Sequence, residues 1–411
     1  MSTPTAKIAI LIADGLGDRP CPELDGETPL EAADTPNLDA IALRGECGIM
    51  DPIAPGIRAG SDTAHLALFG YDPHACYTGR GPFEAAGIGM DVRGGDICFR
   101  CNFATVDESF VIRDRRAGRI ESGTRELAQA LDGMEIEGVS ILFKESVEHR
   151  AALILRGEGL GHQVSDTDPH EAGAKVWEAR GEDAPSEKTA RIVNQFVRRS
   201  YDILKDHPVN LRRREEGKLP ANIALPRGAG IAPHLEPFEH RHKLTGACVV
   251  EVGLVKGLGR YLKMEVPEVA GATGGYDTDE IALARAAVAA LRERDLVLCN
   301  LKTPDLAGHD GDVNRKIEAV KKFDRLVAYV AEQLGEDSLI VITGDHSTPV
   351  SVRDHSGDPL PIAIAGAGVR TDGVREFGER AAAAGGLSRI RGADLMPILT
   401  NLVNMQEKFG A

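Results

Sequence analysis

Six side chains of two types recur at one kind of place in this 411-residue sequence. Asp14 ends the apolar run 7–13. Asp305 and His309 follow the apolar run 295–301 with the spacing Asp-x-x-x-His. Asp345 and His346 come just after a third run, 338–343, and His355 lies in the loop beyond. Runs of this length without alternation read as strands buried on both faces, as in a parallel sheet. In such a sheet the carboxyl ends of the strands share one edge, and ligands bind there. The six residues therefore converge. Three carboxylates and three imidazoles suit a pair of divalent ions, Mn²⁺ or Zn²⁺ before Mg²⁺. Two ions roughly 3.5–4 Å apart stabilise the attacking and leaving oxygens of a phosphoryl displacement. One Asp-His dipeptide is usually a turn; the ordered set at strand ends carries the reading.

A nucleophile candidate accompanies them. Ala59-Gly60-Ser61-Asp62-Thr63-Ala64-His65 leads from a Gly/Pro-rich loop into an apolar helical segment. A serine at a helix start is most simply an N-cap. It also stands where a phosphate meets free backbone N–H groups. Serine reacts only with help from a base or a metal. No Gly-x-Ser-x-Gly elbow surrounds Ser61, so a hydrolase triad is not indicated, and no Gly-Lys-Ser/Thr phosphate loop supports ATP dependence. The turn 15–20 tempts a dinucleotide reading, but Pro20 stands where that fingerprint needs glycine.

The elements that must hold these residues alternate. A helix opens at Pro36, with Thr35 as its cap; helices are expected over 278–294, 313–334 and 393–404, between strands 295–301, 338–343 and 361–365. The middle differs: 96–106 with 109–114, and 140–143 with 150–155, read as strand pairs around a helix at 124–131. Polar loops, a helix at 188–204 and the Pro- and Gly-rich stretch 220–233 follow. The expected fold class is α/β, a parallel-sheet domain of 1–74 and 245–411 with helices on both faces, interrupted by a smaller inserted α+β domain, 75–244.

Composition narrows the function. The net charge of −15 argues against a nucleic-acid partner. Basic clusters at 113–119 and 198–214 read as solvated faces. No apolar run is long enough to span a membrane, and the start lacks the pattern of a signal peptide. Seven scattered cysteines fit reduced thiols, so a cytoplasmic protein is expected. Cys98 and Cys101, three apart on a strand, should face opposite sides rather than share a metal.

In their order, Asp14, Ser61, Asp305, His309, Asp345, His346 and His355 resemble the metal ligands of the alkaline phosphatase superfamily. Within it, the stretches 12–20, 60–65, 77–84, 100–105 and 304–311 resemble the archaeal form of the 2,3-bisphosphoglycerate-independent phosphoglycerate mutases. The resemblance implies an alkaline-phosphatase-like domain and two divalent ions, Mn²⁺ first, with Mg²⁺, Co²⁺ or Zn²⁺ as alternatives. Asp305, His309 and His355 would hold one ion; Asp14, Asp345, His346 and the Ser61 oxygen would hold the other. Ser61 would take the phosphoryl group from 3-phosphoglycerate and return it to the 2-hydroxyl, while the inserted domain clamps the substrate and excludes water. A small anionic phosphorylated substrate assigns Arg80, Asn102, Arg115, Arg116 and Lys256 as its contacts, with Arg119 beside them. His65 is either a motif residue or a packed helix histidine. Competing readings are a metal-dependent phosphomonoesterase, a phosphotransferase such as a homoserine kinase, and a non-catalytic metal-binding protein. A homo-oligomer is left open.

Overall fold

The computed structural model describes residues 4, 6–335, 337–408 and 410. The chain divides into two compact units, one of residues 1–77 and 235–411, the other of 78–234.

The first unit is built on a seven-stranded sheet. Its order is Ser388–Arg391, Gly45–Asp51, Leu360–Gly366, Leu339–Thr343, Ile8–Ala13, Leu296–Leu301, Gly246–Val249. Ile8–Ala13 lies in the middle, parallel to Leu296–Leu301 on one side and Leu339–Thr343 on the other. Every residue of these three strands is buried, which explains their unbroken apolar sequences. Two groups of helices flank the sheet. Glu280–Glu293 packs on Val313–Gln333, which also meets Pro36–Leu43; Ser61–Leu68 packs on Gly253–Tyr261 and on Gly392–Leu402.

One strand departs from the parallel expectation. Leu360–Gly366 runs antiparallel to both Leu339–Thr343 and Gly45–Asp51. The chain between Thr343 and Leu360 holds no helix, and a parallel return needs a crossover that usually contains one. The short connection therefore brings the chain back antiparallel. It also carries Asp345, His346 and His355. No helix among the described residues is long and apolar enough to cross a membrane.

The second unit is an antiparallel sheet in the order Ile112–Asp114, Ile97–Val106, Arg150–Arg156, Val139–Glu145, Glu135–Ile136, with Ile223–Ile231 also pairing with Ile97–Val106. The Pro- and Gly-rich stretch 220–233 thus contains a strand. Its Pro226 sits on an outer strand, where a missing N–H does no harm. Phe99, Cys101 and Phe103 face a core shared with Phe143 and with Phe196 of the helix Ala184–Leu204. Cys98 faces the other way, into a small cluster with Ala85, Ala152 and Ile154, as its spacing from Cys101 requires. All seven cysteines are free thiols.

Candidate functional site

The carboxyl end of the first unit's central strands gathers the six predicted residues. Asp14 follows Ile8–Ala13; Asp305 and His309 lie on the helix Thr303–Asp310; Asp345, His346 and His355 lie in the connection after Leu339–Thr343. Two groups of possible ligand atoms form, each with all its atoms within 4.8 Å of one another: Asp305, His309 and His355, and Asp14, Asp305 and His346. Asp305 is common to both. Its Oδ1 lies 3.4 Å from His309 Nε2 and 3.6 Å from His355 Nε2. His346 Nε2 is 3.5 Å from both Asp14 Oδ1 and Asp345 Oδ2.

The three imidazoles are oriented alike. His309 Nδ1 donates to the Arg353 carbonyl (3.0 Å) and His355 Nδ1 to the Ala59 carbonyl (2.8 Å), since a carbonyl can only accept. His346 Nδ1 lies 3.1 Å from the Thr348 hydroxyl. Each ring thus turns its Nε2 lone pair toward the carboxylates. A metal-binding histidine is commonly fixed through its other ring nitrogen in this way.

Ser61 stands at the same place. It is the first residue of the helix Ser61–Leu68, with Gly60 as N-cap, so its hydroxyl is not used as the cap. Ser61 Oγ lies 3.2 Å from His346 Nε2. His65 resolves as a packed residue of that helix. It is wholly buried, donates from Nδ1 to the Ser61 carbonyl at 2.7 Å, and accepts from Asn300 Nδ2 on Nε2 at 3.3 Å. Asn300 also donates to Asp14 Oδ2 at 3.2 Å.

The electrostatics suit cations. Burial, and then the Asp345 and Asp305 charges, push Asp14 well above the ordinary carboxyl range, against the pull of Lys302. Burial lowers His346 to about 4, which keeps it neutral and able to ligate. Lys302 reaches Asp14 Oδ1 at 2.9 Å and Asp305 Oδ2 at 2.6 Å. Asp345 Oδ2 is buried with no hydrogen-bond partner among the described residues. Such an orphaned oxygen is costly in an apolar setting, and a divalent ion fits it, as it fits the mixed carboxylate and imidazole set. Sequence reasoning missed Lys302. It directly follows a strand end, three residues before Asp305, so the same edge rule reaches it.

The second unit holds the opposite charge. A cavity of about 320 Å³ is lined by Arg100, Asn102, Arg115, Arg116, Arg119, Glu148, His149, Arg150 and Arg227. Strand pairing puts them there. Arg100 and Asn102 alternate with core residues on Ile97–Val106; Arg227 pairs opposite Arg100 and Arg150 opposite Asn102. Like charges so paired repel. Arg100 Nε, Asn102 Oδ1, His149 Nδ1 and Arg227 Nε are buried without hydrogen-bond partners among the described residues. Glu84 offers Arg100 an oxygen at 3.3 Å, outside hydrogen-bond geometry.

Of the predicted substrate contacts, Asn102, Arg115 and Arg116 line this cavity. Arg115 is already engaged, donating twice to the buried Asp168 at 3.0 and 2.7 Å. Arg80 begins the helix Gly81–Gly87 and lies 3.5 Å from Glu84. Lys256 belongs to the first unit, where its Nζ meets Glu268 at 2.6 Å. Arg100, Arg227, Arg150 and His149 were not assigned in advance. Arg100 had a signal, since it is two residues from Asn102 on one strand face; Arg227 had none, because prolines and glycines break the strand pattern around it.

Residues 42–210 match the family model of 2,3-bisphosphoglycerate-independent phosphoglycerate mutase. A Methanothermobacter thermautotrophicus protein, 2,3-bisphosphoglycerate-independent phosphoglycerate mutase 1, is 54% identical over 98% of this chain and 100% of its own. Its namesake in Methanocaldococcus jannaschii is 51% identical over 98% of this chain and 99% of its own. Among solved structures, a Pyrococcus horikoshii protein matches with TM-score 0.85 and 42% identity over the whole of both chains. The cofactor-independent phosphoglycerate mutase of Thermoplasma acidophilum matches with TM-score 0.77 and 39% identity, covering 97% of this chain and 100% of its own.

Proposed function

Because this chain belongs to the 2,3-bisphosphoglycerate-independent phosphoglycerate mutases, we propose that its two clusters divide the labour of that reaction. The enzyme interconverts 3-phosphoglycerate and 2-phosphoglycerate. Ser61 is the group that carries the phosphoryl between the two positions. The observation that carries this reading is the approach of Ser61 Oγ to His346 Nε2, 3.2 Å away, inside a cluster of three aspartates and three histidines.

Asp305, His309 and His355 would hold one divalent ion, and Asp14, Asp345, His346 and Ser61 the other, with Mn²⁺ the preferred metal. When bound, such ions supply Lewis-acid stabilisation of phosphoryl and serine oxygens. The protein's own residues do the rest. The helix start at Ser61 offers backbone N–H groups to the incoming phosphate. His65 and Asn300 fix the Ser61 carbonyl and Asp14. In residues 78–234, the proposed substrate domain, Arg100, Arg116, Arg119, Arg150 and Arg227 bind the anionic groups of the phosphoglycerate, with Asn102 and His149 as hydrogen-bonding partners. Guanidinium suits carboxylate and phosphate because its donors form a planar fork.

The test is incubation with 3-phosphoglycerate and Mn²⁺, with assay of both 2-phosphoglycerate and free phosphate. The isomer is expected with little free phosphate. Phosphate without the isomer would identify a phosphomonoesterase instead.

A further inference from the structure

Thr348 lies where three chain segments meet closely. A carbon added to Gly15 would stand 2.7 Å from Thr348 Oγ1, and one added to Gly308 would stand 2.2 Å from the Thr348 carbonyl oxygen. Gly15 moreover has φ +64°, a backbone region that favours glycine. The segment after the first strand and the helix bearing Asp305 thus both press on this residue. Lys316, wholly buried, fixes it further. Its Nζ donates to the Thr348 carbonyl at 2.8 Å, to the Gly17 carbonyl at 3.2 Å and to Asp18 Oδ2 at 2.7 Å.

The Thr348 hydroxyl owns one proton. It lies 2.7 Å from Asp305 Oδ1, and an ionised carboxylate only accepts, so the proton points there. The 3.1 Å contact with His346 Nδ1 must then be donated by the ring. The chain runs in one direction, from His346 Nδ1–H to Thr348 Oγ1–H to Asp305 Oδ1. It leaves His346 Nε2 as the lone-pair nitrogen, 3.2 Å from Ser61 Oγ. His346 belongs to one group of possible ligands and Asp305 to both.

We propose that Thr348 is a positioning residue that couples the two ion sites, holding one ligand of each through a single hydroxyl. This rests on reading the Asp–His cluster as a two-ion centre. A loss of the hydroxyl frees the His346 ring to take the other tautomer and unpins Asp305, so both ions should feel it.

The experiment is a calorimetric titration of the chelator-stripped full chain with Mn²⁺ alone, for wild type, Thr348→Val, Thr348→Ala and Thr348→Ser. Wild type should take up two ions. The valine and alanine variants should bind both more weakly, by about 10–100-fold, the usual cost of losing a partner that orients a ligand. The serine variant keeps the hydroxyl and should bind as wild type. Circular dichroism and melting of the stripped proteins identify folded variants, and alanine replaces valine if the larger side chain does not fit. An unchanged isotherm in a folded alanine variant, or a loss confined to one ion, overturns the proposal while the two-ion reading stands. A wild-type chain that takes up no Mn²⁺ removes the two-ion reading itself, and the proposal with it.

Discussion

The two units solve the same electrostatic problem with opposite signs. In the first, Asp14, Asp305 and Asp345 crowd at the ends of parallel strands, relieved in part by Lys302. In the second, six arginines line one cavity, relieved in part by Asp168 and Glu84. Each leaves buried polar atoms without hydrogen-bond partners among the described residues: Asp345 Oδ2 in one, Arg100 Nε and Arg227 Nε in the other. A fold tolerates such atoms where a ligand completes them. On the proposed reading, divalent cations would complete the first cluster and the anionic groups of the substrate the second.

If the division holds, each half can be broken alone. The largest effect should come from Ser61→Ala: a fall in kcat on the order of 10⁴-fold or more, as for other enzymes that lose their nucleophile. Mn²⁺ uptake should persist, and a coupled assay for 2-phosphoglycerate reads the loss. Substantial residual turnover would exclude a phosphoserine route. Next is Lys316→Met, which strands the buried Asp18 without its cation. Breaking a buried pair costs about 3–5 kcal/mol, so melting followed by calorimetry should show the first unit destabilised and the second unchanged. A joint loss in both would show that the units do not unfold independently.

Arg227→Met should act on the other half only. Losing a hydrogen-bonding charge costs about 1.5–3 kcal/mol, so KM for 3-phosphoglycerate should rise by roughly 10–100-fold while the Mn²⁺ isotherm stays put. A change in metal binding instead would contradict the separation. The smallest effect concerns pH. Glu379 is half-buried, and the desolvation of its carboxyl raises it to about 7, although Thr28 and the Asp18 N–H both donate to it. The folded state therefore holds this proton more tightly than the unfolded chain does. Its contribution to stability is full below about 4.5, its unfolded value, and is lost as pH rises through about 7. Glu379→Gln should flatten that part of the stability profile in urea titrations from pH 5 to 8. An unchanged slope would sink the assignment.

The two halves also differ in how far the sequence revealed them. The acidic cluster was legible because its residues follow long apolar strands, and the edge rule of parallel sheets turns order in the chain into proximity. The six candidate ligands were named on that ground, and Ser61 on its place at a helix start. The arginine cluster is made by register between antiparallel strands. Pairing Arg100 with Arg227 and Asn102 with Arg150 needs the sheet, and the strand Ile223–Ile231 was hidden by its proline and glycines. The basic run near 115 pointed to the place without saying which side chains were free. Arg115 turned out to be tied to Asp168. Lys256, on its helix, meets a glutamate. The antiparallel strand Leu360–Gly366 was equally hidden, because strand direction depends on what fits in the connection rather than on the strand's own residues.

The central place of Ile8–Ala13 has a consequence for synthesis. It is made well before its neighbours Leu296–Leu301 and Leu339–Thr343. At roughly 5–20 residues per second, about 15–60 s pass before the first partner leaves the ribosome. Through that interval six apolar residues have no strand to pair with, whereas the strands of residues 78–234 emerge together and can pair at once. The nascent chain must therefore keep this strand covered, by a chaperone or by its own collapse, until its partner strands arrive to claim it.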